Sequence, residues 1–268
     1  MGRVARWLAF LFLLAAMICG QAQAATVFLE DLTWTELRDE IVAGKTTVIV
    51  PVGGTEQNGP HMSLGKHNVR VKALAQKIAL ALGNALVAPV VSYVPLGSVH
   101  PPTGHMRFPG TITVPDATFE RALESAAQSF RLHGFRDIVF IGDHGDYQKS
   151  LTAVAARLNR EWGASGARAH AIVEYYGAAK TAYARALKSR GYTDAEIGTH
   201  AGLADTSLTL AIDPALVRRD KLAASAANGS ADGVTGDPRR SSPELGQLGV
   251  DAIVAATVDA IRHATVRR

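Results

Sequence analysis

Short β-branched runs alternate with longer stretches of helical period along this chain, and that alternation restricts the fold more than any other feature. Residues 46–53 (TTVIVPVG), 85–91 (ALVAPVV), 137–142 (DIVFIG) and 169–176 (AHAIVEYY) read as buried strands. Helical spacing of apolar residues predicts helices over 69–82, 117–132 and 150–162, the first two closed by Gly83 and Gly134. Further helices are expected over 178–189, 206–212 and 249–263, with an ordered surface loop over 223–244. Strand alternating with helix predicts an α/β fold, a three-layer α/β/α sandwich around a mostly parallel central sheet. Right-handed crossovers then bring the C-terminal ends of the strands to one edge, where such sheets bind ligands.

The first 24 residues stand apart. Arg3 and Arg6 precede an apolar run that ends in Ala22-Gln23-Ala24, the pattern of a cleaved secretory signal peptide. The mature domain is therefore expected over 25–268, exported to the periplasm or secreted, with no stable membrane span after processing. Cleavage removes the sole cysteine, Cys19, and leaves neither a disulfide nor a thiolate ligand. Any metal must then be held by imidazole and carboxylate. The net charge of +4 would fall to +2 without Arg3 and Arg6, and no basic run carries interleaved aromatics, so nucleic acid is not an expected partner.

Polar residues gather where the strands end. Glu56, His61 and His67 follow the first strand; His100 and His105 follow the second; Asp143, His144 and Asp146 follow the third; His200 and Asp205 come after the fourth. Histidines and carboxylates meeting at one sheet edge suit a borderline divalent cation. Each residue also has a plainer reading. Glu56 could cap a helix or make a surface ion pair, His67 and Asp205 could be N-caps, and Asp143 to Asp146 could form an ordinary Asp-Gly turn.

At these positions the sequence resembles the creatininase family. Five blocks recur in order: PVGGTEQNGPH (51–61), HMRFPGT (105–111), GDHGDY (142–147), HAGLADTS (200–207) and GVTGDP (233–238). The resemblance implies an α/β/α sandwich assembled as a homo-oligomer, often a hexamer. It implies hydrolysis of a C–N bond in a small cyclic or linear amide, with zinc or manganese, one or two ions, as cofactor. By the same resemblance Glu56, His67 and His144 hold an ion. Asp146 aligns with a second-metal carboxylate, and Asp205 with an acid that other members use, so either holds a second ion or acts as general base. His200 or His105 donates a proton to the leaving nitrogen or steadies the oxyanion. Two positions depart from the family pattern: Asn58 stands where a metal-binding histidine is usual, and His67 where a bridging aspartate is. The tryptophans that flank creatinine in the namesake enzyme have no evident counterparts, which points to a substrate other than creatinine. The alternative is a non-catalytic exported metal- or ligand-binding protein on the same fold.

Overall fold

The computed structural model describes residues 26–266; the signal peptide expected over 1–24 lies outside them. Four strands, β1 (Thr47–Val52), β2 (Ala85–Val87), β3 (Asp137–Gly142) and β4 (Arg168–Ala171), form one parallel sheet in the order β2-β1-β3-β4. The helices are α1 (Trp34–Val42), α2 (Lys66–Leu82), α3 (Asp116–Leu132), α4 (Gln148–Trp162), α5 (Glu174–Ala178), α6 (Ala184–Lys188), α7 (Asp194–Ile197), α8 (Leu203–Ile212), α9 (Leu222–Asn228) and α10 (Pro243–Thr265).

The sheet is buried on both faces, and strand alternation divides it between two cores. Val48, Val50, Val52, Leu86, Ile138 and Phe140 pack with Phe119 and Leu123 of α3 and Leu151 and Val154 of α4. Ile49, Val87, Val139 and Ile141 point the other way, towards Leu74 and Ile78 of α2 and Ile253 of α10. Full burial of each such side chain contributes about 1.5–3 kcal/mol, which is why the inner strands are almost continuously apolar. Pro51 sits in the central strand without breaking it. The carbonyls of Ile49 and Pro51 face the β2 side and accept from Ala88 and Val91, after β2 has ended at Val87. No ladder donor is therefore lost at Pro51.

Several boundaries differ from those the sequence predicts. α2 begins a turn early, at Lys66, so His67 lies inside its first turn rather than capping it. The fourth strand stops at Ala171, opposite Phe140, and a helix starts at Glu174. Ala-His-Ala-Ile-Val-Glu-Tyr-Tyr is apolar at both two-residue and helical spacing, and a strand continued through Glu174 would run past the end of β3 at Gly142. α5 continues through a π-turn, Ala179–Tyr183, into α6. Asp205 is the third residue of α8; the cap position belongs to Gly202. The loop expected over 223–244 includes most of α9.

The crossing of α8 and α10 depends on a glycine. A Cβ on Gly246 would lie 1.9 Å from the Ser207 carbonyl oxygen, whereas a Cβ on Gly177 in α5 would meet nothing within 4 Å. Gly246→Ala should lower the unfolding free energy by about 1–3 kcal/mol. Gly177→Ala should be neutral or stabilise by up to about 1 kcal/mol. Urea titrations followed by circular dichroism compare the two, and equal shifts would contradict this packing account.

Candidate active site

The strand order reverses direction between β1 and β3: the chain leaves β1 for β2 on one side and later returns to β3 on the other. A crevice opens at the C-terminal ends of such a pair. Glu56 follows β1 into this crevice, and Asp143 and His144 follow β3. His67 enters from the first turn of α2. His105 comes from the loop after β2, and His200 precedes α8.

These segments place four imidazoles around one carboxylate. Glu56 is fully buried. Its Oε1 lies 2.8 Å from His67 Nε2 and 3.7 Å from His200 Nδ1; its Oε2 lies 3.2 Å from His144 Nε2 and 3.8 Å from His105 Nε2. Two groupings have ligand atoms close enough to share a cation: Glu56 with His67 and His144, and Glu56 with His105 and His200. Glu56 Oε2 closes no hydrogen bond. A buried anion with an open lone pair, ringed by nitrogen donors, fits a divalent ion of the zinc or manganese type.

His67 is held from behind. Its Nδ1 donates to Asp143 Oδ2 at 2.5 Å, and the same oxygen accepts from Arg70 Nε at 2.8 Å. Tyr175 donates to the other Asp143 oxygen at 2.9 Å. With its proton committed to Asp143, His67 turns Nε2 towards Glu56 Oε1, and only a proton or a cation between them makes that approach favourable. A carboxylate behind a ligating imidazole is the usual support of a metal site. His144 is placed by Tyr147, whose hydroxyl accepts from the His144 backbone N–H and donates to the Val52 and Gly53 carbonyls.

Burial alone would raise the Glu56 carboxyl, but the contacts and charge of His144 and His67 outweigh it and hold it far below the carboxylate range. His144 moves up: burial opposes this, and Glu56 outweighs burial. Burial, reinforced by the Lys66 charge, pushes His200 down to about 3. Burial also pushes His105 down, helped by the charges of His144 and Lys66. His200 is thus uncharged near pH 7.

Other sequence-derived candidates face elsewhere. Asp205 turns to Lys66 and to Arg70 Nη1, the latter at 2.6 Å, and accepts the Ala201 N–H at 2.9 Å. Two cations occupy its oxygens, so it is neither a free base nor turned towards Glu56. Asp146 is 58% exposed, with its carboxylate 3.9 Å and its backbone N–H 3.2 Å from His144 Nδ1, on the far side of that ring from Glu56. Asn58 shapes the loop, its amide donating to the Glu56 and Ser63 carbonyls. His61 is buried against Thr206, and His100 is exposed. Sequence reasoning missed Gln57, Lys66, Arg70 and Tyr175. The available signal was Lys66 and Arg70 on the helix face that also carries Val71 and Leu74, where buried cations require buried anions.

A cavity of about 400 Å³ opens onto the site, walled by Tyr176, Lys180 and Tyr183 and floored by His67, His144 and His200. Between His200 and α8 the backbone is strained: Ala201 is fully buried and has φ of 55°, a left-handed conformation that costs a non-glycine residue about 1–2 kcal/mol.

Comparison with known proteins finds relatives over most of the chain. The family model for creatininase, described as creatinine amidohydrolase, matches residues 30–261. Creatinine amidohydrolase from Pseudomonas putida is 28% identical over 258 residues, which cover 89% of this chain and 97% of that protein. A mycofactocin precursor peptide peptidase from Mycolicibacterium smegmatis is 35% identical over 119 residues, 42% of this chain and 45% of the peptidase. A solved structure of manganese creatininase superposes with a TM-score of 0.74 at 27% identity, covering 91% of this chain and 100% of that one.

Arg70 neutralises two buried carboxylates, so its removal tests the cluster. Arg70→Met should destabilise the fold by about 3–5 kcal/mol at pH 7, because Asp143 and Asp205 lose a shared cation. Burial would raise both carboxyls, but Arg70 with His67 at Asp143, and Lys66 with Arg70 at Asp205, hold them below their ordinary values. Their contribution is therefore complete above the unfolded carboxyl pKa of about 3.9 and is lost as pH falls through the folded values. Between pH 7 and 3 the deficit of the variant should accordingly hold until about pH 4 and narrow below it. Denaturant melts across that range check the sign, and a deficit that widens in acid would refute it.

Proposed function

The chain belongs to the creatininase family of hydrolases, and on that premise we propose that it is a metal-dependent amidohydrolase cleaving a C–N bond of a cyclic or linear amide. The observation that carries this reading is the buried Glu56 carboxylate with an unpartnered oxygen, ringed by His67, His105, His144 and His200. A neutral cavity floor would need no such anion, and an anion alone would not persist there.

Glu56, His67 and His144 would hold the ion, with Asp143 orienting His67 from behind. A divalent ion there, zinc or manganese, supplies charge that polarises the amide carbonyl and acidity that readies a water for attack. The chain's own residues do the rest. His200, part-buried, presents Nδ1 towards the centre, placed to take a proton from the attacking water and return it to the leaving nitrogen. The cavity walls of Tyr176, Lys180 and Tyr183 limit the substrate to a small molecule or the end of a chain and screen the reacting bond from bulk water. Neither Trp34, on the exposed face of α1, nor Trp162, in the core behind β3 and β4, reaches this cavity, which favours a substrate other than creatinine.

The same proposal takes the protein to be exported, on the N-terminal pattern, and to work as a homo-oligomer. Among the described residues no helix is long and apolar enough to cross a membrane.

Purified protein should contain zinc or manganese by elemental analysis and hydrolyse members of a panel of lactams, hydantoins and short peptides. Chelation should abolish turnover, and adding back either ion should restore it. Glu56→Gln should bind no ion, and Asp143→Asn should bind it about 10–100-fold more weakly. Turnover that persists after exhaustive chelation would end this reading. A firmly bound ion without turnover on any amide would favour the non-catalytic binding protein instead.

A further inference from the structure

Gln57 follows Glu56 directly, yet its side chain turns away from Glu56 and into a second set of contacts. Its Oε1 accepts the Gly59 backbone N–H at 2.9 Å, and its Nε2 donates to the Gly233 carbonyl at 3.1 Å. Reversing the amide would set donor against donor at Gly59 and acceptor against acceptor at Gly233, so two backbone groups fix which end is which. The fit is close: a Cβ on Gly233, at φ +72°, would lie 2.5 Å from the Gln57 amide. The remaining Nε2 hydrogen points at His105 Nδ1, 2.7 Å away. A neutral imidazole that accepts at Nδ1 carries its proton on Nε2. His105 Nε2 is the atom that faces Glu56.

The neighbouring ring has the opposite polarity towards the centre. His200 Nε2 lies 3.0 Å from the Gln57 backbone carbonyl and donates to it, which leaves a lone pair on Nδ1, the atom nearest Glu56. The 3.1 Å contact between His200 Nε2 and Gln57 Nε2 is then donor beside donor, not a hydrogen bond. The two rings are 4.2 Å apart. One residue, through its side chain and its carbonyl, thus presents a donor and an acceptor side by side.

We propose that Gln57 is a positioning residue that makes His105, which with Gln57 and His200 lines a recess adjoining the cavity at His200, a permanent hydrogen-bond donor to the reacting carbonyl oxygen and leaves His200 as the proton acceptor. This rests on the amidohydrolase reading. The proton balance closes within it. Water oxygen bonds to the carbonyl carbon while its proton passes to His200 Nδ1; that proton then goes to the leaving nitrogen as the C–N bond breaks. His105 keeps its proton throughout and only steadies the oxygen that gains charge.

The test reads tautomers directly and needs no turnover. In metal-free protein labelled with nitrogen-15 at histidine, two-bond proton–nitrogen spectra at pH 7 should show His105 with an unprotonated Nδ1 and a protonated Nε2; its signals are those lost in His105→Gln. Gln57→Glu should move the His105 proton to Nδ1. A wild-type spectrum with protonated Nδ1, or a Gln57→Glu spectrum unchanged from wild type, overturns the proposal whether or not any substrate is known. With a substrate in hand, Gln57→Met should lower kcat by about 10²-fold and leave KM within about 3-fold. An equal rise in KM with unchanged kcat would overturn the catalytic half of the proposal while the spectra still decide the tautomer.

Discussion

A carboxylate with no exposure to water must be matched by partners that remain in place, and the site is arranged around satisfying Glu56. Its own neighbours are imidazoles, and the nearest of them, His67, needs an anion behind it. Asp143 stands behind His67, and Asp143 needs Arg70 and Tyr175. Arg70 also reaches Asp205, which Lys66 completes. The result is a chain of alternating charge running from the end of β1 through the first turns of α2 to α8. No member could be buried alone at a tolerable cost. That alternation is what allows so polar a structure to sit against a core of valine, isoleucine and leucine.

The layered fold was legible because its signals are local and repeated. Continuous β-branched runs in TVIVPV and DIVFIG and helical spacing in the segments between them are statements about nearest neighbours, and the structure keeps them. Legibility failed where one stretch satisfied two periods. Glu174 to Tyr176 fits a strand by alternation and a helix by spacing, and only the absence of a partner strand beyond Gly142 decides for helix. The early start of α2 was hidden for a related reason: Lys66 and His67 look like loop residues until their anions are placed in space.

The site divides in the same way. Glu56, His67 and His144 could be singled out because strand ends in a parallel sheet converge and because imidazole and carboxylate are the ligands that cluster there. Whether a given acid points at that centre or away from it could not be read, since Asp143, Asp146 and Asp205 are alike in sequence context and differ in their partners. Asp143 supports His67, Asp205 is spent on two cations, and Asp146 is largely in solvent. Gln57 was invisible for a subtler reason. A glutamine between a glutamate and an asparagine carries no chemical signature until Gly59 and Gly233 fix which way its amide faces.

Ala201 binds these two halves of the site together mechanically. Its left-handed backbone is unfavourable for alanine, and its N–H is anchored by Asp205, the far end of the alternating charges. The residue before it is His200. Loosening the Lys66–Asp205–Arg70 cluster would therefore let the kink relax and carry the imidazole with it. Placement of His200 and stability of the buried charges behave as one adjustable quantity, and neither can drift without the other recording it.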